Sequence, residues 1–320
     1  MTKSSLDDAG YHQGVTSTEY SNGGVPSWFQ GAISVEPEEH RLAVGEVPIR
    51  YLRWGERDVP GIVLVHGGAA HAHWWSHIAP LLAGRYAVAA IELSGHGDSG
   101  HRPAYSLEDW VAEVVAVIAD AGFSSPPVLV GHSMGGYVSI AAAATAAEVV
   151  GGLIIVDSPV IDVDPEVAAA HRTNEFKSPR IYDSIEEAVS RFRTVPAQDH
   201  YLPWIMDWVA RRSLKPVDGG VTWKFDPLVF SGGPKRPTDY LSQVRCRVAL
   251  LRAEHGLVTP DIGEHMYDTL GRVAPVIELP TAGHHPMLDV PLILLTAVRS
   301  ILADWAHSTP LPAEDRHSAD

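Results

Sequence analysis

Short apolar runs alternate with amphipathic stretches along most of this 320-residue chain. Four of these runs are apolar at nearly every position and cover residues 61–66, 86–93, 128–130 and 153–156. Runs of this length are typical of strands that are buried on both faces, as in a parallel sheet covered by helices. The stretches between them have helical spacing, so the sequence predicts an α/β fold with a mostly parallel central sheet and helices on both faces.

Three segments depart from this alternation. Residues 1–30 and 307–320 are rich in small and polar residues and poor in aliphatic ones, which predicts two disordered tails. Between residues 158 and 240, prolines and tryptophans interrupt short helical patches. We predict that residues 158–240 form a helical cap inserted after the sixth strand, above a core built from residues 31–157 and 241–306.

Within the core, three elements have boundaries that the sequence predicts directly. A β-hairpin is expected over residues 33–44 and 47–54, with its turn at a glycine. Helices are expected over residues 72–82 and 134–147, the second of them rich in alanine.

The chain carries 24 basic and 39 acidic residues, a net charge of −15. This balance argues against nucleic acids and anionic membranes as partners, because both are bound mainly through lysine and arginine. The single cysteine, Cys246, excludes an intramolecular disulfide, and the first residues lack the apolar stretch of a secretory signal. We therefore expect a cytoplasmic protein whose partner is a small molecule, and the sequence leaves a homodimer open.

The strongest chemical signal is the sequence GHSMGG at residues 131–136, which fits G-x-S-x-G. It lies between an apolar run and a helical stretch, the strand-to-helix context that this motif requires. Small neighbours allow the chain to bend sharply, and the hydroxyl then lies at the positive end of a helix. Ser133 is therefore the candidate nucleophile, and the alternative is a glycine-rich helix start without chemistry.

A second signal, the sequence HGGAA at residues 66–70, follows the first buried run. A loop in this position can direct a backbone N–H towards a substrate oxygen, beside the N–H of the residue after the nucleophile. The predicted oxyanion donors are the N–H groups of Gly68 and Met134. The alternative is an ordinary strand-to-helix turn.

A general base is predicted in the sequence GHHPMLD at residues 283–289, which follows the last predicted strand. The carboxyl ends of parallel strands share one edge of the sheet, so a histidine in this loop can reach the serine. His284 is the candidate base. We interpret His285 as a packing or surface neighbour and Asp289 as the start of the last helix.

Together these motifs resemble the α/β-hydrolase superfamily over about residues 33–305. The sequence GHGDS at residues 95–99 is similar to the turn that follows the second parallel strand in many members. The same turn also fits G-x-G-x-x-G, but Pro103 stands where a dinucleotide-binding helix would begin, so no nucleotide cofactor is expected. The resemblance implies a cofactor-free serine hydrolase with a catalytic triad.

The resemblance breaks at the acid of that triad. Many members carry an aspartate in a G-x-x-D-x-x-x-P pattern, and alignment on Pro260 places Gly256 at the aspartate position. Three carboxylates remain as candidates: Asp157, Glu254 and Asp261. The sequence before Pro260 also resembles the haloalkane dehalogenase and Renilla-type luciferase branch, in which the acid follows the earlier strand. This resemblance favours Asp157, with Glu254 as the alternative acid.

The nucleophile determines the expected chemistry. Dehalogenases and epoxide hydrolases attack with a carboxylate, whereas a serine activated by histidine suits a carbonyl carbon. We therefore predict an esterase or lactonase that cleaves a carboxylic ester or lactone through an acyl-enzyme on Ser133. Two alternatives stay open: a C–C bond hydrolase of a dienone-type substrate, and a non-catalytic member that binds a small ligand.

Other side chains are expected to shape the pocket. Trp74, Trp204 and Trp208 are predicted to line it, and they favour a small apolar or aromatic substrate. The histidines within residues 71–77 lack an accompanying zinc-ligand pattern, so no metal is expected.

Overall fold

The structure, a computed structural model, describes residues 24–161, 180–231 and 237–308. Its strands are β1 (Glu38–Val44), β2 (Val47–Trp54), β3 (Gly61–Val65), β4 (Ala87–Glu92), β5 (Val128–His132), β6 (Gly152–Val156), β7 (Leu214–Val217), β8 (Gly220–Trp223), β9 (Arg247–His255) and β10 (Val276–Gly283). Within the described residues, eight strands form one sheet in the order β1-β2-β4-β3-β5-β6-β9-β10. The pairs β1–β2 and β2–β4 are antiparallel and all other neighbours are parallel, which confirms the predicted α/β class.

Helices cover both faces of this sheet. They are α1 (Ser27–Ile33), α2 (Ala79–Leu82), α3 (Leu107–Asp120), α4 (Met134–Thr145), α5 (Ile185–Arg191), α6 (Pro203–Arg212), α7 (Pro237–Leu241), α8 (Pro260–Thr269), α9 (Pro286–Asp289) and α10 (Pro291–His307). Side chains of α1, α6 and α10 form the core on one face, and those of α3, α4 and α8 form it on the other. No described helix combines the length and apolar character that a bilayer span requires.

Strand β3 shows why the central runs are apolar throughout. Ile62 and Leu64 belong to one core, whereas Val63 and Val65 belong to the other. Because successive side chains of a strand point to opposite faces, a strand covered on both faces needs apolar residues at every position.

The N-terminal tail predicted over residues 1–30 extends too far, because Ser27–Ile33 are helical. Phe29 anchors this helix: it is 2% exposed, and its ring lies 6.0 Å from that of His77 and 6.2 Å from that of Trp208. Ala32 is buried on the same helix, and these two small contributions to the core are concealed by the polar composition of the tail. Residues 1–23 of the predicted tail and 309–320 of the C-terminal one lie outside the described residues.

Prolines account for two further differences from the predicted boundaries. The helix expected over residues 72–82 is divided into a 3₁₀ turn at Ala72–Trp74 and the short α2, because Pro80 lacks the N–H that a continuous helix needs there. The predicted hairpin is present, but its first strand begins at Glu38, directly after Pro37, rather than at residue 33.

The segment that follows β6 contains more than helices. Its described part, residues 180–231, holds α5 and α6 but also the antiparallel hairpin of β7 and β8, so the description as a helical cap is incomplete. Backbone hydrogen bonds fasten it to the core, from Gly97 N–H to Lys224 O at 2.8 Å and from Leu202 N–H to Leu288 O at 2.8 Å. Two other parts of the predicted cap, residues 162–179 and 232–236, lie outside the described residues.

Buried histidines occupy both sides of this core as neutral rings. In His66, Nδ1–H donates to Gly67 O at 2.7 Å and Nε2 accepts the N–H of Leu93 at 3.1 Å. Protonation of Nε2 would therefore break the hydrogen bond from Leu93. Burial lowers the pKa of His66 to about 4. Burial also lowers the pKa of His77 to about 4, and its Nε2 donates to Met287 O at 2.7 Å. These rings remain uncharged at neutral pH.

Acidification from pH 6.5 towards pH 4 is expected to lower the free energy of unfolding. In this window the unfolded chain binds protons on histidines that the folded state keeps neutral, at about 1.4 kcal/mol per pH unit for each histidine. Above about pH 6.5 the contribution disappears, because both states are then neutral at these positions. Urea unfolding at a series of pH values measures the slope. His77→Gln should reduce it by about 1.4 kcal/mol per pH unit, and an unchanged slope would contradict the neutral state of His77.

Candidate active site

Ser133 lies on the turn between β5 and α4 in a backbone conformation that few residues adopt. Its φ of 53° and ψ of −121° lie outside the favoured regions of an L residue, so the turn is strained. The turn can close this tightly because Gly135 packs directly against β3, where a Cβ would lie 2.4 Å from the carbonyl oxygen of Val65. The Ser133 side chain is half-buried at the start of α4, at the carboxyl edge of the sheet.

His284 and Asp157 reach Ser133 from two other strands of the same sheet. Asp157 directly follows β6, and His284 directly follows β10. The Ser133 hydroxyl lies 3.0 Å from Nε2 of His284, and Nδ1 of His284 lies 2.7 Å from Oδ2 of Asp157. A carboxylate only accepts hydrogen bonds, so the ring carries its proton on Nδ1 and leaves Nε2 free to accept from the serine. The three side chains thus form one continuous hydrogen-bonded chain.

Asp157 is completely buried, yet its carboxylate is well compensated. Oδ2 accepts the N–H of Leu257 at 2.8 Å, and Oδ1 accepts the N–H groups of Ala253 and Val258 at 3.2 and 3.3 Å. Burial by itself would raise the pKa of Asp157, but the hydrogen bond and charge of His284 and these N–H donors hold the pKa below its usual value. Asp157 is therefore ionised at neutral pH and can stabilise a positive charge on His284.

Gly256 explains how the carboxylate can come from the end of β6. A Cβ at Gly256 would lie 2.3 Å from Oδ2 of Asp157, so the absence of a side chain leaves room for this carboxylate. Alignment on Pro260 assigns Gly256 to the position where many related sequences carry their aspartate. Asp157 thus fills the space that a side chain at position 256 would otherwise occupy.

The two other candidate acids have different surroundings. Glu254 is exposed near the end of β9, and its Oε2 accepts the N–H of Thr281 at 2.6 Å, which ties β9 to β10. Asp261 is exposed in the first turn of α8. Within the described residues, the carboxylate bonded to His284 is that of Asp157.

The predicted oxyanion donors, Gly68 and Met134, flank the serine. Met134 is the first residue of α4, where N–H groups have no partner inside the helix. Gly68 belongs to the loop after β3, the strand next to β5, and the ideal Cβ position of Gly67 lies only 3.2 Å from Cβ of Ser133. Neither N–H donates to an acceptor among the described residues, so both are available to a substrate oxygen.

A cavity of about 190 Å³ opens beside this loop. One wall is aromatic, because the ring of Phe192 lies 6.4 Å from that of Trp74 and 5.3 Å from that of Trp223. Residues that line the cavity come from the loop after β3, from the segment between β6 and β9, and from His285; they are Gly68, Ala69, His71, Trp74, Arg191, Phe192, Arg193, Thr194, Val195, Ser213, Trp223, Lys224, Phe225 and His285.

Of the three tryptophans predicted to line the pocket, Trp74 does so and the other two do not. Trp204 and Trp208 lie on α6 and pack against the core. The ring of Trp208 contacts Phe29 edge to face, and the guanidinium of Arg212 lies over it. The sequence shows that both side chains are large and apolar, but the packing of α6 decides that they face the core and not the cavity.

His285 is more than the packing or surface neighbour that the sequence suggests. It is 4% exposed, it lines the cavity, and its ring lies 5.4 Å from that of Trp74. Burial lowers the pKa of His285 well below its ordinary value, and the nearby His132 and His284 lower it further. A neutral imidazole therefore lies beside the candidate base.

The candidate base is one of three neighbouring histidines. Among the described residues, His132, His284 and His285 form one group of three possible ligands, with their ligand atoms within 4.8 Å of one another. However, His284 contacts Ser133 and Asp157 through its two nitrogens, and Nε2 of His132 lies 2.7 Å from the carbonyl oxygen of His284. In this arrangement both ring nitrogens of His284 are therefore engaged by protein groups, and His132 contacts the backbone of His284.

The histidines within residues 71–77, in contrast, are directed towards separate groups. Each ring is bonded to a different group: the hydroxyl of Ser213 for His71, the hydroxyl of Ser76 for His73 and the carbonyl of Met287 for His77.

Gln198 is a contact that the sequence does not reveal. Its Oε1 accepts the N–H of His285 at 2.9 Å, and its Nε2 lies 3.3 Å from Oδ2 of Asp289. The same Oδ2 accepts the N–H of Gly283 at 2.6 Å, so both sides of His284 are tied to one carboxylate. Burial raises the pKa of Asp289 to about 6. No local pattern distinguishes Gln198, because it lies in an irregular segment whose partner is distant in sequence.

Comparison with known proteins settles the family. A model of the alpha/beta hydrolase family matches residues 62–297, well over half of the chain. The chain belongs to the α/β-hydrolase family. This confirms the resemblance noted in the sequence and supports a hydrolase of that family.

Individual relatives agree with this α/β-hydrolase assignment. The chain is 28% identical over 280 residues to esterase Rv0045c of Mycobacterium tuberculosis, which covers 83% of this chain and 89% of that protein. It is 27% identical over 241 residues to a serine hydrolase-like protein of Danio rerio, which covers 68% and 72%. The thioesterase domain from the curacin biosynthetic pathway superposes with a TM-score of 0.71 and 25% identity over 83% of this chain and all of that domain.

Replacing Gly256 with alanine is expected to lower the activity of this α/β-hydrolase by about a hundred-fold, because the added Cβ displaces the carboxylate of Asp157 from His284. Hydrolysis of 4-nitrophenyl butyrate measures the effect. The matched control is Gly84→Ala, since a Cβ at Gly84 has nothing within 4 Å. Equal activities of the two variants would show that the space at Gly256 does not matter.

Proposed function

We propose that the protein is a serine hydrolase that cleaves a carboxylic ester or lactone through an acyl-enzyme on Ser133. The observation that carries this proposal is the hydrogen-bonded chain from Ser133 through His284 to the buried Asp157. This arrangement has the roles of nucleophile, base and orienting acid that serine hydrolases require. Relatives that bear the names esterase and serine hydrolase-like protein support the same reaction class.

In the proposed first half-reaction, Oγ of Ser133 attacks the carbonyl carbon while its proton passes to Nε2 of His284. The charge of Asp157 stabilises the imidazolium that forms. The carbonyl oxygen becomes negative and accepts hydrogen bonds from the N–H groups of Gly68 and Met134, each of which contributes about 3 kcal/mol to the transition state. The alcohol then leaves with the proton from His284, and the acyl group remains on Ser133.

Water completes the proposed cycle. His284, neutral again, accepts a proton from a water molecule as its oxygen attacks the acyl carbonyl carbon. The same two N–H groups stabilise the second oxyanion. Oγ of Ser133 then leaves as a hydroxyl with the proton from His284, and the carboxylic acid is released.

The cavity supports a small substrate. Its volume of about 190 Å³ lies below the usual range for pockets that bind drug-sized ligands, and aromatic side chains form one wall. Trp74, Phe192 and Trp223 favour an apolar or aromatic portion next to the ester.

Ser133→Ala is expected to lower the hydrolysis of 4-nitrophenyl butyrate by at least about a thousand-fold, because no oxygen remains to form the acyl-enzyme. A fluorophosphonate probe should label the wild-type protein at Ser133, located by mass spectrometry, and leave the variant unlabelled. An unchanged melting temperature would show that the fold is intact. Retained turnover, or a label on another residue, would contradict the proposal.

The identity of the acid is tested by a matched pair of amide substitutions. Asp157→Asn should reduce kcat on the order of a thousand-fold, because the neutral amide no longer fixes the proton on Nδ1 of His284 or stabilises its charge. Glu254→Gln should leave kcat close to the wild-type value, since Glu254 bonds the backbone of Thr281. A larger loss for Glu254→Gln would transfer the role of acid to Glu254.

A further inference from the structure

Three formally charged side chains of the described residues line the cavity, and all of them are basic: Arg191, Arg193 and Lys224. The other polar groups of the lining are hydroxyls and imidazoles, and no carboxylate of the described residues is part of it. The whole chain has the opposite balance, with 39 acidic and 24 basic residues. The cavity thus concentrates positive charge in an acidic protein.

The two arginines come from the end of α5. Arg191 is the last residue of that helix, and Arg193 follows two residues later. Nη1 of Arg193 donates to the carbonyl oxygens of Ser190 and Phe192 at 3.1 and 2.6 Å, so these carbonyls orient its guanidinium. The remaining N–H groups of Arg193 have no acceptor among the described residues.

Lys224 is balanced by a carboxylate, whereas neither arginine has such a partner in the described part of the chain. Nζ of Lys224 lies 2.7 Å from Oδ2 of Asp98. Among the described residues, no carboxylate forms an ion pair with Arg191 or Arg193, although Arg211 on the neighbouring α6 pairs with Asp207. The excess positive charge at the cavity therefore resides on the two arginines.

We propose that the cavity binds a carboxylate of the substrate through Arg191 and Arg193, while the scissile carbonyl lies at Ser133. This inference rests on the proposed hydrolase function and narrows its substrates to small esters that carry a free carboxylate. The planar fork of arginine matches a carboxylate with two parallel hydrogen bonds, whereas the ammonium of Lys224 is already bonded to Asp98.

The aromatic wall and the volume set the size of such a substrate. A cavity of about 190 Å³ lies below the usual range for drug-sized ligands, so it suits a short chain between the ester and the carboxylate. Gly68, whose N–H is a proposed oxyanion donor, lines the cavity together with the arginines. A half-ester of a short dicarboxylic acid has this arrangement of groups.

The test compares two substrates of equal chain length, mono(4-nitrophenyl) glutarate and 4-nitrophenyl pentanoate. The wild-type protein should prefer the glutarate by about ten-fold or more in kcat/KM, and higher ionic strength should weaken this preference because the arginines are exposed. In the double variant Arg191→Gln/Arg193→Gln the preference should fall below about two-fold. The double lysine variant, which keeps the charges but loses the forks, should retain part of it.

Arg211→Gln is the matched control, because it removes one positive charge from the same part of the chain without touching the cavity. It should keep the preference for glutarate. If it loses the preference as completely as the double variant does, general charge and not the two arginines is responsible, and the inference fails. Near-ultraviolet circular dichroism checks that each variant is folded.

A second pair of substrates places the carboxylate on the alcohol side: the pentanoyl ester of 4-hydroxybutanoate against butyl pentanoate. A preference in either pair that disappears in the double variant supports the inference, and the pair concerned shows which side of the ester enters the cavity. Equal rates within both pairs would overturn it, although hydrolysis of the neutral esters would leave the proposed function intact.

Calorimetric titration of glutarate and pentanoate into the wild-type protein measures the same preference without turnover. Tighter binding of glutarate that is lost in the double variant supports the inference even if no ester is cleaved, in which case the proposed function alone fails. Equal or undetectable binding of both acids, together with equal rates, would overturn it.

Discussion

The buried hydrogen bond between Asp157 and His284 is the interaction on which the rest of the site depends. It joins the ends of β6 and β10, two strands separated by β9, and it fixes the ring of His284 whose other nitrogen contacts Ser133. A fully buried carboxylate is unfavourable unless its oxygens accept hydrogen bonds. Here they accept them from His284 and from three backbone N–H groups. Asp157 thereby also organises the chain from Ala253 to Val258.

The parallel sheet makes this meeting possible. Gly68, Ser133, Asp157 and His284 come from four distant parts of the chain, yet each follows a parallel strand, and the carboxyl ends of these strands share one edge. The strain at Ser133 is maintained because the helix behind it packs tightly against β3. Reactive geometry at the edge therefore depends on apolar packing in the centre of the sheet.

Much of this could be predicted from particular residues. The apolar runs indicated a buried parallel sheet, and the local patterns around Ser133 and His284 marked both residues because a nucleophile turn and a glycine–histidine loop have distinctive sequences. Asp157 was harder to find, because a lone aspartate after a strand has no pattern. The missing aspartate at Gly256 and the resemblance of the sequence before Pro260 to a branch with its acid after the earlier strand both pointed to it. Trp204 and Trp208 were placed in the pocket wrongly, because apolar character does not specify which surface a helix presents.

The alternation of strands and helices in the core, the family and the identity of the candidate nucleophile and base follow from the amino-acid sequence, because local periodicity and short motifs encode them. The tertiary structure decided what depends on distant contacts: the compensation of Asp157 by the backbone on both sides of Gly256, the clamp formed by Gln198 and Asp289, and the gathering of Arg191, Arg193 and Lys224 around one cavity. Residues far apart in the chain acquire these relations only when packing brings them together, so no local pattern in the sequence records them.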